Sequence, residues 1–359
     1  MRRQSMIGMI ALGAITVLLT SFASAQQATD NADGGQALGI AQNPPMISTA
    51  GMQDYLKAVQ LAHGAGVDGN AFTEKWSVLE PAPGSFRIDD FANGMNFFED
   101  TYKDTVLLGI QVLNTNVKET PADLQKVAFD DPQMLQRFDA LIDALLAKIT
   151  HKPRYLSIGN EVDAYLDNHP QEWAAYKTFY DGAVAHVHQV APEIQVGVTV
   201  TYSGLFNHTD EVQKLNEHSD VAIVTYYPLK ANFIVEPADA PPTDFPKMIM
   251  LANGLPVVLQ EVGYPSAALL NSSEADQAQF VTNVFVAWKS AGDQIPFLDF
   301  FLLHDLTDDF CSTLESYYGI KFPNFHAYLC TLGLRHVDGT PKQAWQAFVD
   351  EIMKWRSGS

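Results

Sequence analysis

Two glutamates in this chain stand where short apolar runs end. Residues 155–158 form a run of buried-strand length that breaks at Gly159 and delivers Asn160 and Glu161 side by side. Far downstream, residues 256–259 form a second such run, followed by Gln260 and Glu261. A carboxyl group just past a buried strand loses part of its hydration, which favours holding and donating a proton near neutral pH. Two carboxyl groups so placed can divide the work of breaking a glycosidic bond. One attacks the anomeric carbon and the other protonates the leaving oxygen, with the pair roughly 5 Å apart for retention of configuration. Taken singly, either glutamate reads more simply as a helix cap or a solvated carboxylate. The recurrence at two strand ends is what favours chemistry.

The elements that must position this pair alternate along the chain. Strand-like runs fall at 37–41, 69–79, 105–113, 155–158, 196–201, 221–225, 256–261 and 297–303. Helical patterns fall at 52–65, 89–102, 132–149, 171–190, 209–218, 242–252, 273–291 and 341–355. This alternation predicts an α/β protein with a parallel sheet, and eight units fit a single-domain (β/α)8 TIM barrel over residues 36–356. Such barrels carry their catalytic residues at the carboxyl ends of the strands, and here Glu161 ends the fourth strand and Glu261 the seventh. An open doubly wound sheet is the competing architecture, but the Gly-rich phosphate turn it usually carries after its first strand is not visible. The stretches 228–242 and 305–324 read as long loops that shape a cleft.

The first residues read as a targeting segment. Arg2 and Arg3 precede an apolar stretch, 6–19, and Ala23-Ser24-Ala25 has the small-residue form of a cleavage site. The expectation is a signal peptide at 1–25, a polar linker at 26–35 and an exported protein, periplasmic or secreted. The apolar core is too short for a stable membrane span. A formal net charge of −20 argues against nucleic acid and anionic membranes as partners. The partner expected is a carbohydrate, and the protein is expected to be a monomer. Cys311 and Cys330, the two cysteines of an exported chain, are expected to form a disulfide. No Cys/His cluster has zinc spacing, and His186 and His188 fall two apart on a helical pattern, so they do not share a face. Neither a metal nor another cofactor is expected.

Several polar and aromatic residues near strand ends are candidate sugar contacts. Trp76, Tyr226, Tyr227, Tyr264 and Phe301 could stack on the apolar faces of sugar rings, although each reads equally well as core. Trp76 is the leading candidate, because Glu74, Lys75 and Glu80 surround it with polar groups. Asn114, His304 and Asp305 could bind hydroxyls, with a helix cap as the simpler reading of Asp305.

The sequence resembles the clan A glycoside hydrolases, retaining glycosidases built on (β/α)8 barrels. The shared residues are Gly159-Asn160-Glu161-Val162 and Glu261-Val262-Gly263-Tyr264-Pro265-Ser266. The wording of the second motif is similar to the family 17 endo-β-1,3-glucanases, and the pair also resembles the family 53 endo-β-1,4-galactanases. The resemblance implies that Glu161 is the acid/base, Glu261 the nucleophile and Asn160 a ligand of the sugar 2-hydroxyl. It also implies that Tyr226 or Tyr227 orients the nucleophile. At the eighth strand, residues 300–305 lack the tryptophan that many clan members place under the reacting sugar. A (β/α)8 sugar-binding protein without catalysis is the alternative from another class. It would keep the aromatic residues but has no need of two glutamates. A metal-dependent hydrolase lacks a ligand set of convincing spacing.

Overall fold

The computed structural model describes residues 35–358. The expected signal peptide at 1–25 and all but the last residue of the linker at 26–35 lie outside the described residues. Eight strands follow one another: β1 (Ala37–Ile40), β2 (Gly69–Lys75), β3 (Thr105–Asn114), β4 (Tyr155–Asn160), β5 (Gln195–Gly197, resuming at Thr199–Thr201), β6 (Ala222–Tyr226), β7 (Val257–Val262) and β8 (Phe297–Phe300). At least one helix separates each successive pair, and a two-residue return strand, Val117–Lys118, folds back on the end of β3.

The chain divides into two compact halves, one of Asp68–Ile223 and one joining Gln36–Val67 to the residues from Val224 onward. In the first half β2 pairs with β3, β3 with β4 and β4 with β5, all parallel. In the second, β1 pairs with β8 and β8 with β7, both parallel, and β6 lies beside β7. Parallel strands connected through helices make this the α/β, (β/α)8 barrel class expected from the alternation.

Local sequence explains the elements. β3 is almost continuously buried, as a strand covered on both faces must be, and its sequence Val-Leu-Leu-Gly-Ile is correspondingly apolar. The helix Pro132–Leu146 starts with Pro132 in its first turn, and the Asp131 carboxylate accepts the Gln133 N–H at 2.9 Å. Its Met134, Phe138, Leu141, Ile142 and Leu145 recur at helical spacing on one buried face.

The differences from expectation concern short elements. β4 continues through Asn160, β7 carries Glu261 within it, and β8 ends at Phe300 rather than 303. Two helices that sequence periodicity does not reveal, Val162–Asn168 and Tyr202–Asn207, follow β4 and β5. The stretch 305–324, expected as a loop, holds the helix Asp308–Tyr318 and the start of the helix Pro323–Cys330. A disulfide joins these two helices from Cys311 to Cys330, with Cα atoms 5.9 Å apart, as the cysteine count anticipates.

One buried group on the helix Asp89–Tyr102 makes folding stability depend on pH. Burial, reinforced by the charges of Asp100 and Asp104, pushes the Glu99 carboxyl up to about 7, and its Oε2 has no hydrogen-bond partner. A carboxyl held above its unfolded value favours the folded state fully below that value. The contribution is lost as pH rises through the folded pKa. Glu99→Gln should therefore match the wild type near pH 4.5 and exceed it in urea midpoint at pH 8. Equal midpoints at both pH values would remove this account of Glu99.

Candidate active site

The carboxyl end of β4 is shaped by backbone conformations that few residues adopt. Gly159 has φ of 95°, and a Cβ there would collide with the Tyr176 hydroxyl and Val162. Glu161 itself is left-handed, with φ of 49° and ψ of 45°. Such a conformation in a non-glycine residue costs roughly 1–2 kcal/mol and points to a constraint on where its side chain must go. The turn after β3 meets it: Thr115, also left-handed at φ 52°, donates its N–H to the Asn160 carbonyl at 2.9 Å. The Thr115 Oγ1 donates to Glu161 Oε2 at 2.6 Å. Asn160 Nδ2 donates to Asn114 Oδ1 at 3.0 Å, joining the two asparagines at the ends of neighbouring strands.

Two residues beyond Glu161, Asp163 fastens this corner to the end of β5. Its carboxylate accepts the Thr201 N–H at 2.7 Å and the Thr201 hydroxyl at 2.6 Å. Burial pushes its pKa up to about 6, opposed by the Thr201 hydrogen bonds and assisted by the Glu161 charge.

In the other half, the Tyr227 hydroxyl donates to Glu261 Oε2 at 2.7 Å. The Gly263 N–H donates to the Tyr226 carbonyl at 3.1 Å, holding β7 in register with the end of β6. Of the two adjacent tyrosines, then, Tyr227 reaches the glutamate. Tyr226 is fully buried, donates to Asp244 at 2.9 Å and packs against Phe245, so it is a core residue rather than a sugar contact.

Four further expectations are corrected in the same way. Trp76 is 0% exposed and lies against Phe138 and Phe179 beneath the helices. Its indole N–H donates to Glu80 at 2.9 Å, and Glu80 is paired with Arg137. Glu80 thus belongs to a buried network beneath Trp76, while Lys75 pairs separately with Glu119 at 3.0 Å. Trp76→Ala should cost about 3–5 kcal/mol of stability through the cavity it leaves. A urea melt unchanged from wild type would contradict this placement. Tyr264 is buried, stacks on Phe280 at 4.8 Å and donates to the Glu236 carbonyl at 2.7 Å.

His304 is likewise enclosed, its Nδ1–H donating to the Asn43 carbonyl at 2.7 Å and its Nε2 accepting from Arg335. Burial, with the Arg335 charge, lowers its pKa to about 4, so the ring is neutral at neutral pH. Asp305 caps no helix and is instead tied down within the protein: it accepts from Lys342 Nζ at 2.7 Å and from the Gly333 N–H at 2.9 Å. Phe301, half-buried, remains beside Tyr227 with ring centroids 6.3 Å apart. The residues that sequence reasoning missed are Thr115, Asp163 and Thr201. Their only signal is adjacency to Asn114, Glu161 and the fifth strand.

The arrangement in each half is chemically similar. A glutamate stands at the carboxyl end of a buried strand, and a hydroxyl donates to one of its oxygens. A hydroxyl so placed restricts the carboxyl group to one orientation.

Neither a family profile nor a curated protein sequence matches this chain. Solved structures do. An exo-β-1,4-mannosidase from Opitutaceae bacterium strain TAV5 superposes with a TM-score of 0.69 at 16% identity, over 92% of this chain. The match covers 63% of that protein, so this chain spans less than two thirds of its length. A GH5_18 protein from Streptomyces cattleya, solved with GlcNAc, gives a TM-score of 0.68 at 16% identity over 90% of this chain and 81% of that one. A family 39 glycoside hydrolase from the gut symbiont Bacteroides cellulosilyticus WH2 gives 0.59 at 14% identity over 89% and 64%. The fold is therefore the (β/α)8 barrel seen in these glycoside hydrolases. Two of these neighbours carry GH5 and family 39 names, and none carries a family 17 or family 53 name, so they lend no support to that wording of the motifs.

Proposed function

We propose that this protein is a retaining hydrolase of β-linked glycosides, with Glu261 as nucleophile and Glu161 as acid/base. The observation that carries the reading is the matched pair of strand-end glutamates, each oriented by a hydroxyl, in a fold shared with glycoside hydrolases. In the first step a Glu261 carboxylate oxygen attacks the anomeric carbon, the glycosidic C–O bond breaks, and Glu161 gives its proton to the departing oxygen. In the second, Glu161 takes a proton from water, whose oxygen attacks the same carbon and releases Glu261. Tyr227 keeps the attacking oxygens in place and Thr115 does the same for the proton donor. Asn160, locked to Asn114, is the ligand of the sugar 2-hydroxyl. The mechanism requires the two carboxyl groups to lie roughly 5–5.5 Å apart, and a separation near 9 Å in a crystal structure would instead indicate inversion.

The named neighbours put β-mannosides first among substrates, and the motif wording adds β-1,3-glucan and β-1,4-galactan. A panel of these polysaccharides and the matching aryl β-glycosides, with reducing ends counted, tests the reading. Hydrolysis of at least one member is expected. Binding without hydrolysis across the panel would leave a sugar-binding protein in its place.

Export is part of the same reading. The basic start, apolar core and Ala23-Ser24-Ala25 point to cleavage before Gln26, and the Cys311–Cys330 bridge suits an oxidising compartment. Among the described residues no helix is long and apolar enough to cross a membrane. Amino-terminal sequencing of the exported protein is expected to start at Gln26.

A further inference from the structure

The tyrosine that holds Glu261 is itself held from two sides. Phe301 meets the Tyr227 ring at 87° with centroids 6.3 Å apart, and Tyr328 meets it at 82° and 5.5 Å. These are edge-to-face contacts, which fix a ring's plane more firmly than its burial alone. Phe301 comes from the exit of β8, so its position follows from the sheet. Tyr328 does not. It lies on the helix Pro323–Cys330, which begins within a stretch whose sequence reads as a loop.

That helix is anchored in three ways, none of which the proposed chemistry uses. The disulfide ties its last residue, Cys330, to Cys311 on the helix Asp308–Tyr318. His326, between them, faces Asp308 at 2.9 Å and Glu315 at 3.1 Å, both on that same helix. At its start, Asn324 Nδ2 donates to the Asn232 carbonyl at 2.9 Å. The neighbouring Phe233 packs on Phe325 at 5.0 Å and on Tyr328 at 5.5 Å. The helix is thus clamped to one neighbour by a covalent bond and an ion-pair cluster, and to the loop after β6 by an aromatic cluster. That loop begins immediately after Tyr227.

We propose that Tyr328 is a positioning residue for the Tyr227–Glu261 hydrogen bond, and that the disulfide-clamped helix pair 308–330 holds it in place. The proposal rests on the reading of Glu261 as nucleophile for its kinetic consequence, though not for its structural one. Without the Tyr328 ring, Tyr227 can rotate about its side-chain bonds, and its hydroxyl no longer stays within hydrogen-bond reach of Glu261. The nucleophile then loses the hydrogen bond that orients it.

The test has a structural arm and a kinetic arm. In protein labelled with 13C at the tyrosine ζ-carbons, the Tyr227 signal is the one missing from Tyr227→Phe. Its shift with pH should follow Glu261 and vanish in Glu261→Gln. In Tyr328→Ala, and in the double variant Cys311→Ser/Cys330→Ser, that pH response should shrink at least about two-fold, while Tyr328→Phe restores it. Tyr328→Leu serves if the alanine variant does not fold. In the kinetic arm, Tyr328→Ala should lower kcat about ten-fold with little change in KM, and adding it to Tyr227→Phe should cost nothing further. An unchanged pH response of the Tyr227 signal in Tyr328→Ala or Tyr328→Leu overturns the proposal, as does a double variant whose losses multiply. A wild-type protein that hydrolyses nothing would overturn the enzymatic reading alone, because the NMR arm needs no turnover.

Discussion

Glu261→Ala is expected to lower turnover of every substrate by at least about 10⁴-fold, whatever the leaving group. The reason lies in the first chemical step. With Glu261 as the proposed nucleophile, attack on the anomeric carbon needs its carboxylate, whose Oε2 accepts from Tyr227 at 2.7 Å, and no leaving group, however activated, supplies it. Making the leaving group better should therefore not rescue this variant. A small external anion should. Azide can enter from the face that the missing side chain leaves open, and the product should be a glycosyl azide of inverted configuration. Circular dichroism and a urea melt matched to wild type would show that the loss is chemical. Activity within ten-fold of wild type would remove Glu261 from the chemistry.

Glu161→Ala is expected to behave differently, because an acid is needed in the first step only when the leaving group is poor. On the natural polysaccharide the loss should again be large, about 10²–10⁴-fold. On an aryl glycoside with an acidic phenol, the first step should proceed and the covalent intermediate should accumulate, because no base remains to activate water. A burst of phenol followed by a slow steady state is the kinetic signature. Azide needs no base, so it should raise the steady rate and give a glycosyl azide of retained configuration. The opposite stereochemistry in the two variants would show the roles reversed. These outcomes separate the glutamates by what each does rather than by how much each matters.

How far the sequence discloses this account varies along the chain for physical reasons. The clearest strands are those buried on both faces with apolar sequence, as in the run 106–110 of β3, whereas β2, Gly-Asn-Ala-Phe-Thr-Glu-Lys, carries polar residues among its buried positions. The glutamates are visible because burial calls for apolar residues along such a run, and a polar pair directly after it breaks the pattern at the strand's functional end. Aromatic residues give no comparable signal. Trp76 and Tyr226 have polar neighbours in sequence, yet they end in the core because Glu80 and Asp244 satisfy their N–H and O–H groups there. Glu80 lies one helical turn after Trp76, a spacing many exposed pairs share, and Asp244 lies eighteen residues beyond Tyr226, where no local pattern exposes the contact. The adjacent Tyr227 lies just past the end of β6, where the chain leaves the strand, and its side chain points elsewhere than that of Tyr226, to Glu261. Thr115 is hidden in a turn whose left-handed backbone the sequence Asn114-Thr115-Asn116 does not announce. The helix Asp308–Tyr318 shows acidic residues in its first turn and a left-handed Gly319 at its end, signals that are present but short. Its partner, Pro323–Cys330, spans only eight residues, and its packing rests on the disulfide, the His326 pairs and the aromatic contacts of Phe325 and Tyr328 rather than on a long apolar stripe.

The measurement that bears most directly on the central claim is the mapping of a trapped intermediate. An aryl 2-deoxy-2-fluoro glycoside of the sugar found in the panel slows both chemical steps, and its good leaving group lets the first outrun the second. Incubated with the Glu161→Ala variant, where deglycosylation is already slow, it should label the protein once. Digestion and tandem mass spectrometry should place the sugar on the side chain of Glu261 by an ester bond. A single adduct on Glu261, discharged by azide, is the result predicted. An adduct on any other carboxylate, or no adduct while the natural substrate is still cleaved with inversion, would contradict it.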